Sequence, residues 1–196
     1  TGDIIMQYNI LPAPKSIKET QGIFNLVNAG IYLQNGLDAR VVAKAEALRT
    51  RLCEKTGQKH FLSPGQEAKN NILICKTKNI KAEEYILEID ANGVKIEGGS
   101  DAGCFYGILT FLQILETDTN ELSGVVIKDW PDMSYRGFYF DATRGRVPSV
   151  EGAKKLINRL ASLKINALQF YVEHTFDFKE FSSDNRTSND YLTAKD

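Results

Sequence analysis

The chain has 196 residues, of which 42% are hydrophobic and 25% charged, and its 24 Lys and Arg are balanced by 25 Asp and Glu. This composition is typical of a globular protein with one large domain, or with one domain of ordinary size and a piece of another. A net charge of −1 without a basic stripe argues against a nucleic-acid partner. Because no apolar run approaches the roughly 18 residues of a membrane span, we expect no membrane insertion.

The three cysteines, Cys53, Cys75 and Cys104, are scattered along the chain and odd in number. Their spacing matches no metal-ligand set, and His60 and His174 are the only histidines. We therefore expect neither a metal site nor a cofactor. We interpret the cysteines as small buried side chains, since free cysteine is among the most buried residue types. Their spacing leaves a disulfide open as an alternative.

Strand and helix patterns alternate through the first half of the chain. The proline-containing stretch 9–14 is expected to be extended, and residues 23–27 alternate like a strand. Asp38 is placed to cap a helix that ends at Gly57. The apolar residues of this helix recur at spacings of three and four: Val41, Val42, Ala45, Leu48 and Leu52.

A β-hairpin is the clearest local prediction. Residues 71–75 form a short apolar strand, and residues 85–90 alternate like a strand with one buried face. Ala91, Asn92 and Gly93 supply a turn, since Asn and Gly tolerate positive φ. The alternation then resumes from residue 94 in a return strand.

A domain boundary is predicted after residue 130. Before it come an apolar helix over 102–115, which we expect to pack on a sheet, and a short strand over 122–127. The sequence Asp-Trp-Pro-Asp at 129–132 is interpreted as the linker. The domains are therefore predicted as 1–130 and 131–196.

The second domain begins with a strand, a helix and a strand. The strands are predicted at 136–141 and 166–172, and Ser149 is placed to cap the helix between them. This is the opening of a βα-barrel, which takes roughly 250 residues, whereas roughly 60 follow Trp130. We expect a truncated barrel that is poorly stabilised. It could be covered by packing on the first domain or by self-association through the incomplete barrel.

The segment 135–144 carries a family resemblance. It reads Tyr-Arg-Gly-Phe-Tyr-Phe-Asp-Ala-Thr-Arg, and its Arg-Gly pair and Asp-x-x-Arg after an Asp-x-Pro linker resemble the first barrel strand of glycoside hydrolase family 20, the β-N-acetylhexosaminidases. The stretches 10–14, 84–89 and 98–108 resemble the non-catalytic domain of that family. The resemblance implies an α/β fold: a zincin-like domain at 1–130, then the start of a (β/α)8 barrel at 131–196.

The resemblance also implies a reaction. The parent protein is expected to be an exo-β-N-acetylhexosaminidase with substrate-assisted, retaining catalysis. In the family an aspartate orients the acetamido group of the substrate and a neighbouring glutamate protonates the leaving oxygen, at the end of the fourth barrel strand. This chain reaches only the second strand and offers no such pair. We therefore assign no catalytic residue, and we expect the fragment itself to be inactive.

Four residues are predicted to bind substrate. The arginine of the Arg-Gly pair, Arg136, is expected to hydrogen-bond ring hydroxyls of the terminal sugar; the alternative is an ion pair with Asp141 or another carboxylate. Asp141 is a second candidate, although a salt bridge with Arg144 that orders the loop is the favoured interpretation. Glu173 and His174 stand where the family more often has a pair of aspartates. They are expected to support the site, or to form a hydrogen-bonding pair behind it.

Two other functions remain open. The first domain could be a non-catalytic carbohydrate-binding or scaffolding module, although we identify no row of exposed aromatic residues in it. The second domain could belong to a barrel glycosidase of another family, which fits the second half of the chain but not the motifs of the first. The resemblance implies an N-acetylhexosamine-containing glycan as the partner. It also implies a location outside the cytoplasm: periplasmic, cell-surface or secreted.

Overall fold

The computed structural model describes residues 8–66, 69–144 and 147–173. The chain divides into two compact units, Thr1–Asp132 and Met133–Asp196, two residues beyond the predicted division. The mixed α/β fold expected from the sequence is confirmed. The zincin-like topology and the completed barrel stay predictions.

The described part of the first unit is a seven-stranded sheet with two helices. Its elements are β1 (Ser16–Asn25), β2 (Ile31–Leu33), α1 (Ala39–Thr56), β3 (Leu62–Pro64), β4 (Asn71–Lys76), β5 (Tyr85–Asp90), β6 (Gly93–Gly98), α2 (Asp101–Ile114) and β7 (Glu121–Asp129). The strand order is β1, β7, β5, β6, β4, β2, β3. The predicted hairpin is confirmed as the antiparallel pair β5 and β6.

One face of the sheet forms the core. Leu87 lies in register with Ile96 on one neighbouring strand and with Ile127 on the other, and all three are fully buried. They join apolar residues of both helices in one cluster. The period-two alternation of these strands therefore places their apolar residues under the helices.

Helix α1 begins and ends where the sequence predicts. The Asp38 carboxylate accepts the backbone N–H groups of Arg40 and Val41 at 2.9 and 3.0 Å. Gly57 ends the helix in the left-handed region at φ 68° and donates to the Cys53 carbonyl. Val42 was predicted on the buried stripe but is 41% exposed. The residues of the helix that are buried are Val41, Ala45, Leu48 and Leu52.

Helix α2 is apolar around most of its circumference and lies close to the sheet. A Cβ atom on Gly107 would lie 2.4 Å from Cγ2 of Ile96 in β6, so this close approach requires glycine. The hydroxyl of Ser100 caps the helix by accepting the Ala102 N–H at 3.1 Å, and it donates to the Ala82 carbonyl at 2.7 Å. None of the helices in the described residues is long and apolar enough to cross a membrane.

Ser100→Ala should lower the free energy of unfolding by about 1 kcal/mol, because the Ala102 amide loses its side-chain acceptor. Ser100→Thr keeps a hydroxyl at the cap and is the matched control. Urea unfolding followed by far-UV circular dichroism measures both. Equal midpoints for the alanine and threonine variants would contradict a capping role.

A buried polar network holds the end of β7. The Tyr85 hydroxyl shares a hydrogen bond of 2.6 Å with Oγ1 of Thr110 in α2 and donates to the Asp129 carboxylate at 3.2 Å. Asp129 also accepts the backbone N–H of Lys15 at 3.3 Å. Burial, and then the charge of Asp129, raise the pKa of the Tyr85 phenol. Asp129 was predicted to belong to the linker; it is instead the last residue of β7 and 8% exposed, because this network satisfies its carboxylate.

Tyr85→Phe should cost about 1–3 kcal/mol of stability, because the buried groups of Thr110 and Asp129 lose a partner. Tyr32→Phe is the matched control, since the Tyr32 ring packs edge-on against Phe61 at 5.5 Å and keeps that contact. Urea unfolding followed by fluorescence of Trp130, the single tryptophan, reports on this unit. A loss of the same size in both variants would show that the network does not stabilise β7.

Several predictions for the first unit are corrected. The first strand is Ser16–Asn25 rather than 23–27, because this strand is largely exposed and its polar first half carries no apolar alternation. Strands β2 and β3 were not predicted, since three residues are too few to show a period.

The interpretation of the cysteines is corrected in part. Cys104 is buried, but Cys53 and Cys75 are only half-buried, and all three are free thiols. Cys75 lies near the end of β4, where it follows three consecutive buried residues, Ile72, Leu73 and Ile74. The apolar run therefore identified the strand but not the point at which its burial ends.

The second unit contains a parallel pair of strands and one helix in its described residues. They are β8 (Gly137–Asp141), α3 (Val150–Ser162) and β9 (Ala167–Tyr171). Ser149 caps α3 as predicted, by accepting the Gly152 N–H at 3.1 Å. No residue of α3 is buried, and Phe138 and Ile157 are 40% and 46% exposed. This exposure is expected of a two-stranded sheet without further neighbours.

Candidate functional site

The predicted site residues lie at two ends of the β8–β9 pair. Arg136 directly precedes β8, whereas Asp141 and Glu173 lie at or beyond the carboxyl ends of the strands, together with Arg144, the expected salt-bridge partner of Asp141. The strand between them spans about 13 Å at roughly 3.3 Å per residue. The structure therefore brings three of these residues together and places the Arg136 backbone apart from them. His174 lies outside the described residues.

Arg136 ties the beginning of β8 to the beginning of β9. Its Nε donates to the Lys164 carbonyl at 2.8 Å and its Nη1 to the Met133 carbonyl at 2.7 Å. Its backbone N–H donates to Oδ1 of Asn166 at 2.9 Å, and Asn166 in turn donates to the Ser134 carbonyl. In this arrangement the guanidinium donates hydrogen bonds to backbone carbonyls, and its role in sugar binding stays a prediction.

Asp141 orders the loop that follows β8. Its carboxylate accepts the backbone N–H groups of Thr143 and Arg144 at 2.9 and 3.1 Å, and Nε of Arg144 at 2.7 Å. These two backbone donors, followed by the Arg144 charge, hold the pKa of the Asp141 carboxyl below its usual value. The salt bridge favoured from the sequence is present, between Asp141 and Arg144 rather than between Asp141 and Arg136.

Tyr171 connects this ion pair to Glu173. The Arg144 guanidinium lies over the Tyr171 ring, with Cζ 5.3 Å from the ring centroid, and the Tyr171 hydroxyl donates to Oε1 of Glu173. That hydrogen bond is the main reason why the pKa of the Tyr171 phenol is raised. We call Asp141, Arg144, Tyr171 and Glu173 the strand-end cluster.

Sequence reasoning found three members of the strand-end cluster and missed Tyr171. The missing signal was register: β8 and β9 are parallel strands of equal length, so Asp141 pairs with Tyr171. Glu173 follows Tyr171 by two residues and lies just beyond the end of β9. The register of the two strand ends could therefore have indicated that Tyr171 belongs with these residues.

The chemistry of the strand-end cluster suits a neutral polar ligand. Carboxylates accept hydroxyl hydrogen bonds, a guanidinium donates several in a fixed plane, and an aromatic ring offers an apolar face. Among the described residues, no group of three His, Cys, Asp or Glu side chains is arranged to hold a metal ion. Hydroxyl-rich ligands such as sugars match these donors and acceptors.

A family model for glycosyl hydrolase family 20, domain 2, matches residues 7–130. The chain belongs to glycosyl hydrolase family 20. The match covers the whole described sheet of the first unit and both of its helices. The second unit begins at Met133, just beyond the end of the match.

Relatives in family 20 are much longer than this chain. A β-hexosaminidase of Porphyromonas gingivalis is 31% identical over 176 residues, which cover 84% of this chain and 22% of that protein. The crystal structure of a Vibrio harveyi family 20 exo-β-N-acetylglucosaminidase in complex with N-acetylglucosamine aligns at TM-score 0.71 and 27% identity, over 87% of this chain and 27% of that one. Flavobacterium johnsoniae chitobiase aligns at TM-score 0.75 and 26% identity, over 95% of this chain and 31% of that one. The chain thus spans about a quarter of its relatives.

Asp141 should titrate below the usual aspartate pKa of about 3.9 in a carboxyl-carbon NMR titration of the 196-residue chain. Above the unfolded pKa the charged form stabilises the folded state, and this contribution is lost as the pH falls through the lower folded pKa. Arg144→Gln should raise the Asp141 pKa but leave it below the reference value, because the two backbone donors remain.

Lys155→Gln is the matched control for that titration. It removes a cation that pairs with Glu151 on α3 and should leave the Asp141 midpoint where it is. An Asp141 midpoint at or above the reference value in the unaltered chain would contradict the hydrogen bonding described for the loop.

Proposed function

We propose that this chain works as part of an exo-β-N-acetylhexosaminidase. Such an enzyme releases terminal N-acetylhexosamine residues from glycans by substrate-assisted, retaining catalysis. The observation that carries the proposal is the family 20 match over residues 7–130, followed by a parallel βαβ unit with polar side chains at its strand ends. The relative from Vibrio harveyi, a solved exo-β-N-acetylglucosaminidase with bound N-acetylglucosamine, supports the same activity.

The two units would have different roles in the enzyme. The first unit would be the non-catalytic, zincin-like domain. The second would supply the first two strands of a (β/α)8 barrel, in which functional side chains lie at the carboxyl ends of the strands. The strand-end cluster has this position, with Asp141 at the end of β8 and Glu173 just beyond β9.

Catalysis needs more than these 196 residues. No aspartate in the sequence is followed directly by a glutamate, so the chain lacks the pair that would orient the acetamido group and protonate the leaving oxygen. We infer that the chain alone does not hydrolyse glycosides. The exposed apolar residues Phe138, Tyr139 and Ile157 of the second unit would be covered by the remaining barrel, or by self-association of the isolated chain.

The substrate class suggests a location. Glycans that end in N-acetylhexosamine occur largely on polymers and glycoproteins outside the cytoplasm, so we propose a periplasmic, cell-surface or secreted enzyme. Fractionation of the native host, followed by detection of the protein with an antibody, would test this location. Recovery in the cytoplasmic fraction alone would contradict it.

The full-length enzyme should cleave a chromogenic N-acetylglucosaminide with retention of the anomeric configuration, measured by proton NMR of the first product. If Arg136 binds ring hydroxyls as the family resemblance implies, Arg136→Ala should lower kcat/KM by roughly tenfold or more, because hydrogen bonds to a charged group are lost. Arg136→Lys should recover part of that loss.

Arg159→Ala is the matched control for Arg136, since it removes an arginine from the exposed last turn of α3. A thermal melt of each variant separates lost binding from lost folding. Full activity in a folded Arg136→Ala enzyme would contradict a role of this arginine in sugar binding.

A further inference from the structure

The backbone of Tyr171 is fixed from two sides. It pairs with Asp141 in the parallel ladder, and its carbonyl accepts the Ala142 N–H at 2.9 Å and Oγ1 of Thr143 at 3.4 Å. The loop after β8 therefore closes over the end of β9. The direction in which the Tyr171 side chain leaves the backbone is set by both strands.

The ring of Tyr171 is also restrained by its neighbours. The Arg144 guanidinium at 5.3 Å is within cation–π distance, and Arg144 is itself tied to Asp141 at 2.7 Å. On the neighbouring strand the Tyr139 ring lies 6.2 Å away with an interplanar angle of 32°. The ring thus has a held cation and a second ring as neighbours, and its hydroxyl donates to Glu173.

The phenol hydroxyl restrains an exposed carboxylate. Glu173 lies beyond the end of β9 and is exposed. An O–H donated to a carboxylate is a charge-assisted hydrogen bond, and here it holds Oε1. A side chain that is already ordered loses less conformational entropy when a ligand binds.

We propose that Tyr171 is a positioning residue, which holds the Glu173 carboxylate where it accepts hydrogen bonds from ring hydroxyls of the terminal sugar. This inference rests on the proposed glycosidase function. Tyr171 acts through Glu173 and need not touch the sugar itself. Arg144 supports the same arrangement by keeping the aromatic ring in place.

A double-mutant cycle in the full-length enzyme tests the proposal. Tyr171→Phe and Glu173→Ala should each raise KM for the chromogenic N-acetylglucosaminide by roughly two- to tenfold, the range expected when one ordered side chain is lost, with little change in kcat. The double variant should resemble Glu173→Ala alone, because both changes remove one interaction. Melting temperatures should stay close to the wild-type value, since the altered hydroxyl is at the surface.

Tyr135→Phe is the matched control, because Tyr135 is 68% exposed and lies at the opposite end of β8. This substitution should leave KM unchanged. Additive effects of the two single changes, or wild-type KM in Tyr171→Phe, would overturn the positioning role.

A wild-type enzyme that cleaves no N-acetylglucosaminide would count against the proposed function. In that case the positioning role of Tyr171 is tested by sugar binding instead of cleavage. The same variants would be compared by calorimetry for binding of free N-acetylglucosamine. Weaker binding by Tyr171→Phe than by the wild type would support the inference. Equal binding, or none by any variant, would overturn it.

Discussion

A β-sheet needs apolar cover on at least one face, and this constraint explains both units of the chain. In the first unit the helices α1 and α2 bury the face that carries Leu87, Ile96 and Ile127. Among the described residues of the second unit, two strands and one helix leave apolar side chains such as Phe138 exposed. The first unit therefore has a core of its own, whereas the exposure in the second agrees with the proposal that further strands pack on it.

The strand-end cluster follows from parallel pairing. Because β8 and β9 run in the same direction and in register, their carboxyl ends meet, and Asp141 comes to lie opposite Tyr171. The polar side chains that follow each strand are then neighbours although they are about thirty residues apart in sequence. The hydrogen bond from Tyr171 to Glu173 shows how one carboxylate at this edge is held.

Local patterns predicted those elements that are long enough to show them. The Asp38 cap, the Gly57 terminator and the β5–β6 hairpin were found because each depends on neighbours within a few residues. Strands β2 and β3 were missed because they are defined by pairing with distant strands rather than by their own three residues. Asp129 was assigned to a linker for a related reason, since its burial depends on Tyr85, which is forty-four residues away.

The sequence by itself determined the family, the helices and the residue types available at each strand end, because these depend on spacing along the chain. Only the tertiary structure decided which of those residues meet. It placed Arg136 against the carbonyl of Lys164, and it brought the Tyr171 ring against the Arg144 guanidinium. The physical reason is that side-chain contacts depend on strand register and loop closure, which are set by long-range packing rather than by local order in the sequence.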